Sequence, residues 1–355
     1  MQTTGVGAGP SGADGSMRKM LGTRRLNEQQ LTELLRRIQR VNFGRWTQDD
    51  VTQAVSALGW ELQHGEVDVG MWRAETGYDT GAAIIDRIPP QANIRTVNEF
   101  YAIELMVLRS AVRGDAGENH RTIVFREVLR VMLKEFGQPD VRGGDGGPWA
   151  RWRDKVLTVE LHLRRFHGGV ALRLLATDAL EQLEAESIRR GDVSGWTAYT
   201  QRPNLPSEPA VDDLGEFTAR LSGVLIDLAG DVPVMDTAGT IILRTGDLMA
   251  RYVLVTVDGG LRVEASASVK GRYRDGLGYL ARMGFREPSG QVPNWSRAFR
   301  DGGRESTSNA AHMMVDALRA FGIEDLLDIV YDAFTADGER MYLPVLGIAS
   351  SDSMS

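Results

Sequence analysis

The sequence predicts an α+β protein built from two tandem domains of antiparallel sheet with flanking helices. Segments with the 3.6-residue period of helices alternate with clusters of short segments that have the period of two typical of strands. The chain has 355 residues, which is long for a single hydrophobic core. A proline-containing polar stretch without periodicity separates two such clusters. We therefore predict a disordered leader, an N-terminal α+β domain, a linker, a C-terminal α+β domain and a tail, at 1–22, 23–191, 192–211, 212–348 and 349–355.

The predicted N-terminal domain opens with two helices. Asn27 is placed to cap LNEQQLTELLRRIQRVN, and Thr47 is placed to cap RWTQDDVTQAVSALGW. Residues 60–108 then predict an antiparallel meander, followed by the amphipathic helix HRTIVFREVLRVMLKEFG. VRGGDGG is predicted to be a loop. WARWR, KVLTVELHLRRF and GGVALRLLAT are predicted strands, and TDALEQLEAESIRRG is a further helix.

The predicted C-terminal domain starts with a helix, three strands, a helix and a strand between Leu214 and Phe299. Ser308 or Asn309 is expected to cap the helix AAHMMVDALRAFG, and IEDLLDIVYDAF is predicted to be helical. RMYLPVLGI predicts a final short strand or extended segment. Because both halves repeat helix, strands, helix, strands, we also consider the hypothesis that they share one architecture.

Composition and charge exclude several classes of protein. The chain has no Cys, so it has no disulfides, thiolate metal sites or cysteine nucleophiles. It has no apolar run long enough to span a membrane, and its N-terminus does not have the pattern of a signal peptide. Both Met1 and Met17 are compatible with a start. The first 195 residues have equal numbers of basic and acidic side chains, so the net charge of −7 lies in the remainder. This charge argues against nucleic-acid binding, and we expect a cytoplasmic protein without nucleic-acid or membrane partners.

The sequence contains no recognisable set of catalytic or metal-binding residues. The five histidines are scattered, and His162 and His167 are predicted to lie on opposite faces of a strand. The Asp-Gly-Gly segments at 145–147 and 258–260 do not have the arrangement of phosphate-binding loops. The acidic pairs Asp49–Asp50 and Asp212–Asp213 fit helix N-termini. We therefore predict no catalytic residues, no metal and no cofactors.

Several segments of the C-terminal half together resemble the TY-Chap family of actinobacterial domains, which is related to the type III secretion chaperone and YbjN fold. The matching segments are GTIILR, the Arg-Tyr-Val of RYVLVTV, the Leu-x-x-Glu of LRVEAS, LARMGFREP, NWSR and MMVDALRAFGI. The resemblance covers Leu214 to Phe334 and departs at Phe285, where the family pattern has Trp. It implies a non-catalytic protein-binding module with the chaperone fold. The N-terminal half is similar to an uncharacterised actinobacterial domain.

Six residues are candidates for partner binding: Arg251, Tyr252, Glu264, Asn294, Trp295 and Arg297. Trp and Arg dominate many interface hot spots, which favours the constellation around Trp295. Two alternatives stay open. Trp295 is a core residue in one interpretation and a partner contact in the other. Arg251 and Glu264 form either a cross-strand ion pair or contacts to a partner.

The resemblance and the residues together predict a chaperone or adaptor that holds a client polypeptide of a secretion or toxin system. The client is expected to bind at a sheet edge and an apolar groove, and the acidic C-terminal half favours a basic client. The alternative is an immunity protein that blocks a folded toxin, and an uncharacterised enzyme is the third hypothesis. We expect a monomer or homodimer, with the tandem arrangement able to substitute for dimerisation.

Overall fold

In a computed structural model, the strands in the described part of the chain join one antiparallel sheet of 16 strands. The structure describes residues 23–63, 71–88, 96–144, 146–165, 168–190, 195–199, 210–245, 248–266, 274–290, 292–323 and 325–351. The prediction of an α+β protein with antiparallel sheet is confirmed. The predicted leader at 1–22 lies outside the described residues, as does most of the predicted linker.

Seven helices are present in the described part of the chain. They are α1 Glu28–Ile38, α2 Gln48–Ala57, α3 Gly114–Phe136, α4 Thr177–Arg190, α5 Leu214–Asp231, α6 Arg274–Arg282 and α7 Arg304–Ala320. The two predicted N-caps of the N-terminal half are confirmed, since Asn27 and Thr47 each form a capping box with the third residue of their helix. No helix in the described residues is long and apolar enough to cross a membrane.

The strands before α5 are β1 Arg24–Arg25, β2 Glu61–Gln63, β3 Met71–Glu75, β4 Ala83–Arg87, β5 Phe100–Arg109, β6 Val141–Gly144, β7 Pro148–Arg153, β8 Leu157–Arg164, β9 Gly169–Ala176 and β10 Trp196–Tyr199. The strands after α5 are β11 Gly239–Thr245, β12 Leu248–Val257, β13 Leu261–Ala265, β14 Trp295–Phe299, β15 Ile329–Thr335 and β16 Arg340–Tyr342. Their order across the sheet is β14-β13-β12-β11-β15-β16-β10-β6-β7-β8-β9-β5-β4-β3-β2, and β1 pairs with β5.

One row of directly paired residues runs across the whole sheet and defines its two faces. It begins at Ala298 in β14 and ends at Gln63 in β2. Its members in order are Ala298, Arg262, Thr256, Thr240, Phe334, Arg340, Tyr199, Val141, Arg151, Glu160, Arg173, Glu104, Ile84, Arg73 and Gln63. Directly paired residues lie on the same face of a sheet. We call the face that carries this row the open face and the other one the helical face.

The helical face carries the two large hydrophobic cores. Alternate residues of the N-terminal strands pack there with α1, α2 and α3, and those of the C-terminal strands pack with α5, α6 and α7. This alternation of buried and partly exposed residues is the pattern of a sheet covered on one side. On the open face, α4 packs over a small cluster formed by Val141, Trp149, Ile188, Tyr199 and Tyr342.

The stretch predicted as a linker contains a strand, which corrects that part of the sequence analysis. Residues 196–199 form β10, which pairs with β6 on one side and β16 on the other. Trp196 is buried, and its Nε1 donates to Asp231 at the end of α5 at 3.1 Å. The four-residue strand is too short for a periodic pattern to be visible in the sequence. The sheet is therefore continuous from one half of the chain to the other.

The segment predicted as a helix at IEDLLDIVYDAF is also different in the structure. Leu326–Asp328 forms one turn of 3₁₀ helix, and Ile329–Thr335 is β15. The strand lies between β11 and β16, where its backbone groups find partners on both sides. The short apolar run is compatible with either period, and its place inside the sheet favours the strand.

The predicted loop VRGGDGG contains strand β6. Gly143 faces Trp149 in the next strand, and a Cβ atom added to it would lie 2.3 Å from the indole ring. A residue without a side chain is therefore needed for this close approach. Glycine content alone had indicated a loop, whereas here glycine makes room for a large ring.

The hypothesis that the two halves share one architecture is wrong. In the N-terminal half, the last strand of the meander, β5, pairs with β9 at the centre of the sheet. In the C-terminal half, the first strand of the meander, β11, pairs with β15. The order of strands in space therefore differs, although the order along the chain is similar.

Candidate functional site

Strand β14 forms one end of the sheet and has an exposed outer edge. Its residues are paired with β13 on the inner side. On the outer side, Ser296 exchanges two backbone hydrogen bonds with Arg286, at 2.7 and 3.0 Å. In an antiparallel strand, every second residue directs its N–H and C=O to the same side, so those of Ala298 also point outward. Ala298 is exposed, and its backbone has no hydrogen bond to any described residue on that side.

Three of the six predicted residues meet on the open face next to this edge. The Tyr252 hydroxyl donates to the Asn294 side-chain oxygen at 3.2 Å. The Asn294 amide nitrogen in turn donates to a carboxylate oxygen of Glu264 at 3.0 Å. All three side chains are half-buried. This chain of hydrogen bonds connects β12 and β13 to the start of β14 and fixes the orientation of the Asn294 side chain.

The other three predicted residues lie on the helical face. Trp295 is 8% exposed and belongs to the C-terminal core. Arg297 donates to the Met283 carbonyl at 2.9 Å, and its guanidinium lies 5.2 Å from the centre of the Phe299 ring. Arg251 donates to the Phe321 carbonyl at 3.3 Å, at the C-terminal end of α7. A cation at this end of a helix is stabilised by the helix dipole.

The proposed cross-strand ion pair between Arg251 and Glu264 is not formed. Glu264 pairs directly with Leu254, so the two share the open face. Arg251 reaches the last turn of α7 on the opposite side of the sheet. The sequence interpretation failed because the pleat places residues of odd and even number on different faces. Trp295 likewise lies in the core, which agrees with the interpretation that it closes the core.

A shallow depression of about 300 Å³ lies beside the outer edge of β14. Its lining residues are Thr256, Asp258, Gly260, Leu261, Arg262, Ala298 and Phe299. The lining is mixed rather than apolar, so the apolar groove expected from the sequence is not at this position. Arg262 is exposed, directly opposite Ala298, and has no ion pair or hydrogen bond with the described residues.

Sequence reasoning missed Arg262, Arg286 and Ala298. Their importance depends on β14 being the last strand of the sheet and on Arg286 lying against it. Neither fact is encoded in a local pattern. The only available signal was the small residue in NWSRAF, where Ala298 follows larger side chains.

A second cluster of charged residues lies on the open face of the N-terminal half. Glu160 is fully buried and accepts from Arg151 at 2.6 Å and from Arg173 at 2.7 Å. Burial by itself raises the pKa of Glu160, but the two guanidinium charges outweigh it and hold that pKa far below its usual range. Arg151 and Arg153 also pair with Glu184 of α4. Charges of both signs are matched here, which is the arrangement of a structural network.

The described residues contain no group of three or more His, Asp or Glu side chains that could hold a metal ion. His162 lies near the charged cluster, with its Nδ1 3.8 Å from Glu160. Burial lowers the pKa of His162, so the neutral ring is favoured. Within the described residues, only the Glu160 carboxylate is paired with it, and no second imidazole completes a ligand set.

In the described part of the chain, helices cover one face of an antiparallel sheet, and β14, at one end of the sheet, has an exposed edge. This is an α+β fold with an exposed sheet edge. Comparison with family models then finds a match over residues 208–335, to the family described as T3SS (YopN, CesT) and YbjN peptide-binding chaperone 3, TY-Chap3. The match covers less than half of the chain and lies within its C-terminal half, where it confirms the resemblance seen in the sequence. No curated protein and no solved structure matches the chain.

The family match indicates a peptide-binding, chaperone-like module at residues 208–335. It favours a protein or peptide as the partner of this part of the chain. The match ends at residue 335 and includes β11 to β15, so it covers β14 and its outer edge.

Proposed function

We propose that the protein is a non-catalytic chaperone or adaptor that holds an extended segment of a client polypeptide at the outer edge of β14. The observation that carries this proposal is that the outward backbone groups of Ala298, on an exposed edge strand, have no hydrogen bond with the described residues. A strand added there forms main-chain hydrogen bonds that do not depend on its side chains. Binding of this kind accepts clients of different sequence, which suits a chaperone. The half of the chain that carries this edge is the one that matches the peptide-binding family.

The opposite edge of the C-terminal strands is already occupied within the chain. Strand β10 pairs with β16, and Ala349 accepts a hydrogen bond from the Tyr331 N–H beside β16. Native proteins generally cover or charge such edges, because an open edge pairs with other chains. The contrast between the covered edge and β14 supports binding at β14.

We further propose that the client belongs to a secretion or toxin system, as expected for this type of chaperone. A client held by strand addition must present a segment that is extended or unfolded when free. An immunity protein would instead recognise a folded toxin over a large preformed surface. The two proposals therefore differ in the state of the partner.

Peptide selection on the full-length protein tests the proposal. A random linear peptide library displayed on phage is selected against the immobilised protein, and the enriched peptides are measured by fluorescence anisotropy against variants. Ala298→Pro removes the outward N–H, and proline is tolerated on edge strands whose N–H faces solvent. We expect this variant to bind the peptides at least about tenfold more weakly than the wild type does, a loss of about 1.4 kcal/mol.

The matched control is Ala298→Ser, which keeps the N–H and the small side chain, and it should bind like the wild type. Circular dichroism and thermal unfolding confirm that both variants are folded. If the selected peptides bind Ala298→Pro as tightly as the wild type, they bind elsewhere and strand addition at β14 is refuted. If no linear peptide is enriched while a folded toxin binds, the immunity function replaces the chaperone function.

A further inference from the structure

Arg262 gives the edge of β14 a local charge opposite to that of the C-terminal half as a whole. We propose that the strand added to β14 carries an acidic side chain opposite Ala298, and that Arg262 recognises it. The inference rests on the proposed function, because it specifies the chemistry of the segment held at the same edge. It replaces the expectation of a basic client, which was based on net charge alone.

The geometry places Arg262 within reach of an added strand. Arg262 lies directly opposite Ala298, one strand in from the edge, and both are on the open face. The position opposite Ala298 on an added strand would lie two strand spacings, or about 10 Å, from Arg262. Ala298 has only a methyl group, so the long Arg262 side chain can extend over it to meet a Glu or Asp side chain from the other side.

Arg262 also has no competing partner in the described residues. Its side chain is exposed and forms no ion pair or hydrogen bond with them. Glu264, two residues farther along β13 and on the same face, accepts a hydrogen bond from Asn294. The carboxylate of Asp301 is likewise engaged, by the Ser306 hydroxyl and the Gly303 N–H.

The other charged residues near this edge include both basic and acidic side chains. Arg262 is the charged residue that is paired directly with Ala298. Arg286 and Arg300 are exposed basic residues along the edge, and Glu287 is an exposed acidic residue next to Arg286. Asp258 is exposed and lines the same depression as Arg262 and Ala298, without an ion pair to Arg262. Interactions between exposed charges are screened beyond about 8–10 Å at physiological salt. Arg262, whose side chain can extend over Ala298 toward the added strand, therefore has more influence on the client than the net charge of distant surfaces.

A second copy of the chain fits this edge less well. Two β14 strands paired antiparallel about Ala298 would put the two Arg262 side chains on the same face, three strand spacings apart, with only the two Ala298 residues between these like charges. Charged residues at sheet edges commonly prevent such self-pairing. The same repulsion does not arise with a client strand that carries a carboxylate.

The test repeats the phage selection with wild type, Arg262→Glu and the control Arg73→Glu. Arg73 is an exposed residue of β3 at the other end of the sheet and has no ion pair with the described residues, so its reversal makes the same change in net charge. Peptides selected by the wild type should be enriched in Asp or Glu at one position of the extended motif. Arg262→Glu should shift that position to Lys or Arg, whereas Arg73→Glu should select the same peptides as the wild type.

Binding measurements then quantify the effect. Arg262→Glu should bind a selected acidic peptide roughly three- to tenfold more weakly than the wild type does. A peptide in which Gln replaces the acidic residue should bind both proteins with similar affinity. The difference between the two peptides should shrink at high salt, because the contact is between exposed charges.

Each outcome separates this inference from the proposed function. Peptides that depend on the N–H of Ala298 but show no acidic preference, or a basic one, would overturn the role of Arg262 and leave strand addition standing. Peptides insensitive to Ala298→Pro would overturn both. If Arg262→Glu changes only self-association, measured by analytical ultracentrifugation, the arginine protects the edge and the proposed recognition is wrong.

Discussion

The carboxylate of Glu160 lies between two guanidinium groups on the open face of the N-terminal half. Arg151, Glu160 and Arg173 are directly paired neighbours on β7, β8 and β9, so the charges alternate across the strands. Breaking a buried ion pair by removing one partner leaves an uncompensated charge. The ladder also favours one register, because a shift by one residue would move these charges into the helical core.

We expect Glu160→Gln to lower the free energy of unfolding by roughly 3 kcal/mol or more at neutral pH. Urea unfolding followed by circular dichroism measures this change. The matched control is Glu216→Gln, which removes an exposed pair with Arg220 on α5 and should change the stability by about 0.5 kcal/mol or less. Equal effects of the two substitutions would show that burial of Glu160 contributes nothing.

The pH dependence of the same variant follows from the depressed pKa of Glu160. Above the ordinary carboxyl value of 4.5 the group is ionised in both folded and unfolded states, and its contribution to stability is complete. Below that value the unfolded chain takes up the proton first, so the contribution declines. The stability difference between wild type and Glu160→Gln should therefore be constant near neutral pH and shrink on acidification from about pH 5. A difference that grows on acidification would contradict the assignment.

At the scale of the element, β14 has two distinct sides. Trp295 closes the core on the helical face, whereas Ala298 points its backbone outward at the edge. The strand is thus anchored by a large buried ring near one end and offers an unpaired backbone near the other. The family match covers both features, of which Trp295 is buried and Ala298 is exposed.

We expect Trp295→Ala to lower the free energy of unfolding by about 3–5 kcal/mol, as for other buried aromatic residues. Thermal or urea unfolding measures it, with Ala298→Ser as the control that should change stability by about 0.5 kcal/mol or less. If Trp295 instead contacted a partner, its removal would weaken peptide binding and leave stability unchanged. That result would reinstate it as a binding residue.

Strand β15 shows why an element can be located in the sequence while its type is missed. Its residues Ile329 and Val330 favour strands, but the run is short and follows acidic and leucine residues typical of helices. Pairing with β11, which extends along the whole of β15, stabilises this segment as a strand. The caps at Asn27 and Thr47 were predictable by contrast, because a cap involves residues only three apart.

At the scale of the whole molecule, β10 and the end of α5 connect the two halves. Asp231 is 2% exposed and accepts from Arg165 at 2.8 Å and from Trp196 at 3.1 Å. Arg126 of α3 donates to the Val234 carbonyl just beyond α5 at 3.3 Å. These contacts, together with the continuous sheet, couple the N-terminal half to the half that contains the family match.

We expect the wild-type protein to unfold in a single cooperative transition, with coincident curves from circular dichroism and tryptophan fluorescence. Asp231→Ala leaves the Arg165 and Trp196 donors without this acceptor, so it should lower stability by roughly 3 kcal/mol or more and separate the two curves. The control Asp212→Ala changes an exposed carboxylate before α5 and should keep a single transition. Two transitions already present in the wild type would show that the halves are independent.

The candidate site was predicted only in part, because its position depends on the arrangement of the whole sheet. Tyr252, Glu264 and Asn294 were singled out from the sequence and meet beside β14, whereas Arg251, Trp295 and Arg297 serve the core and α7. Arg262 and Ala298 were not predicted at all. Which strand is last in a sheet depends on pairing between distant segments, and no local pattern reports it.

The α+β class, the caps at Asn27 and Thr47, the alternation of the C-terminal strands and the resemblance to a chaperone family were all predictable from the sequence. These features depend on residues a few positions apart or on a dispersed set of side chains within one segment. The cap predicted at Ser308 or Asn309 was wrong, because that helix begins at Arg304. Three features became visible only in the tertiary structure: β10 joins the two halves, β15 is a central strand, and the edge of β14 is open beside Arg262. Hydrogen bonds between strands connect residues far apart in the chain, so the free edge exists only once every other strand has found its partner.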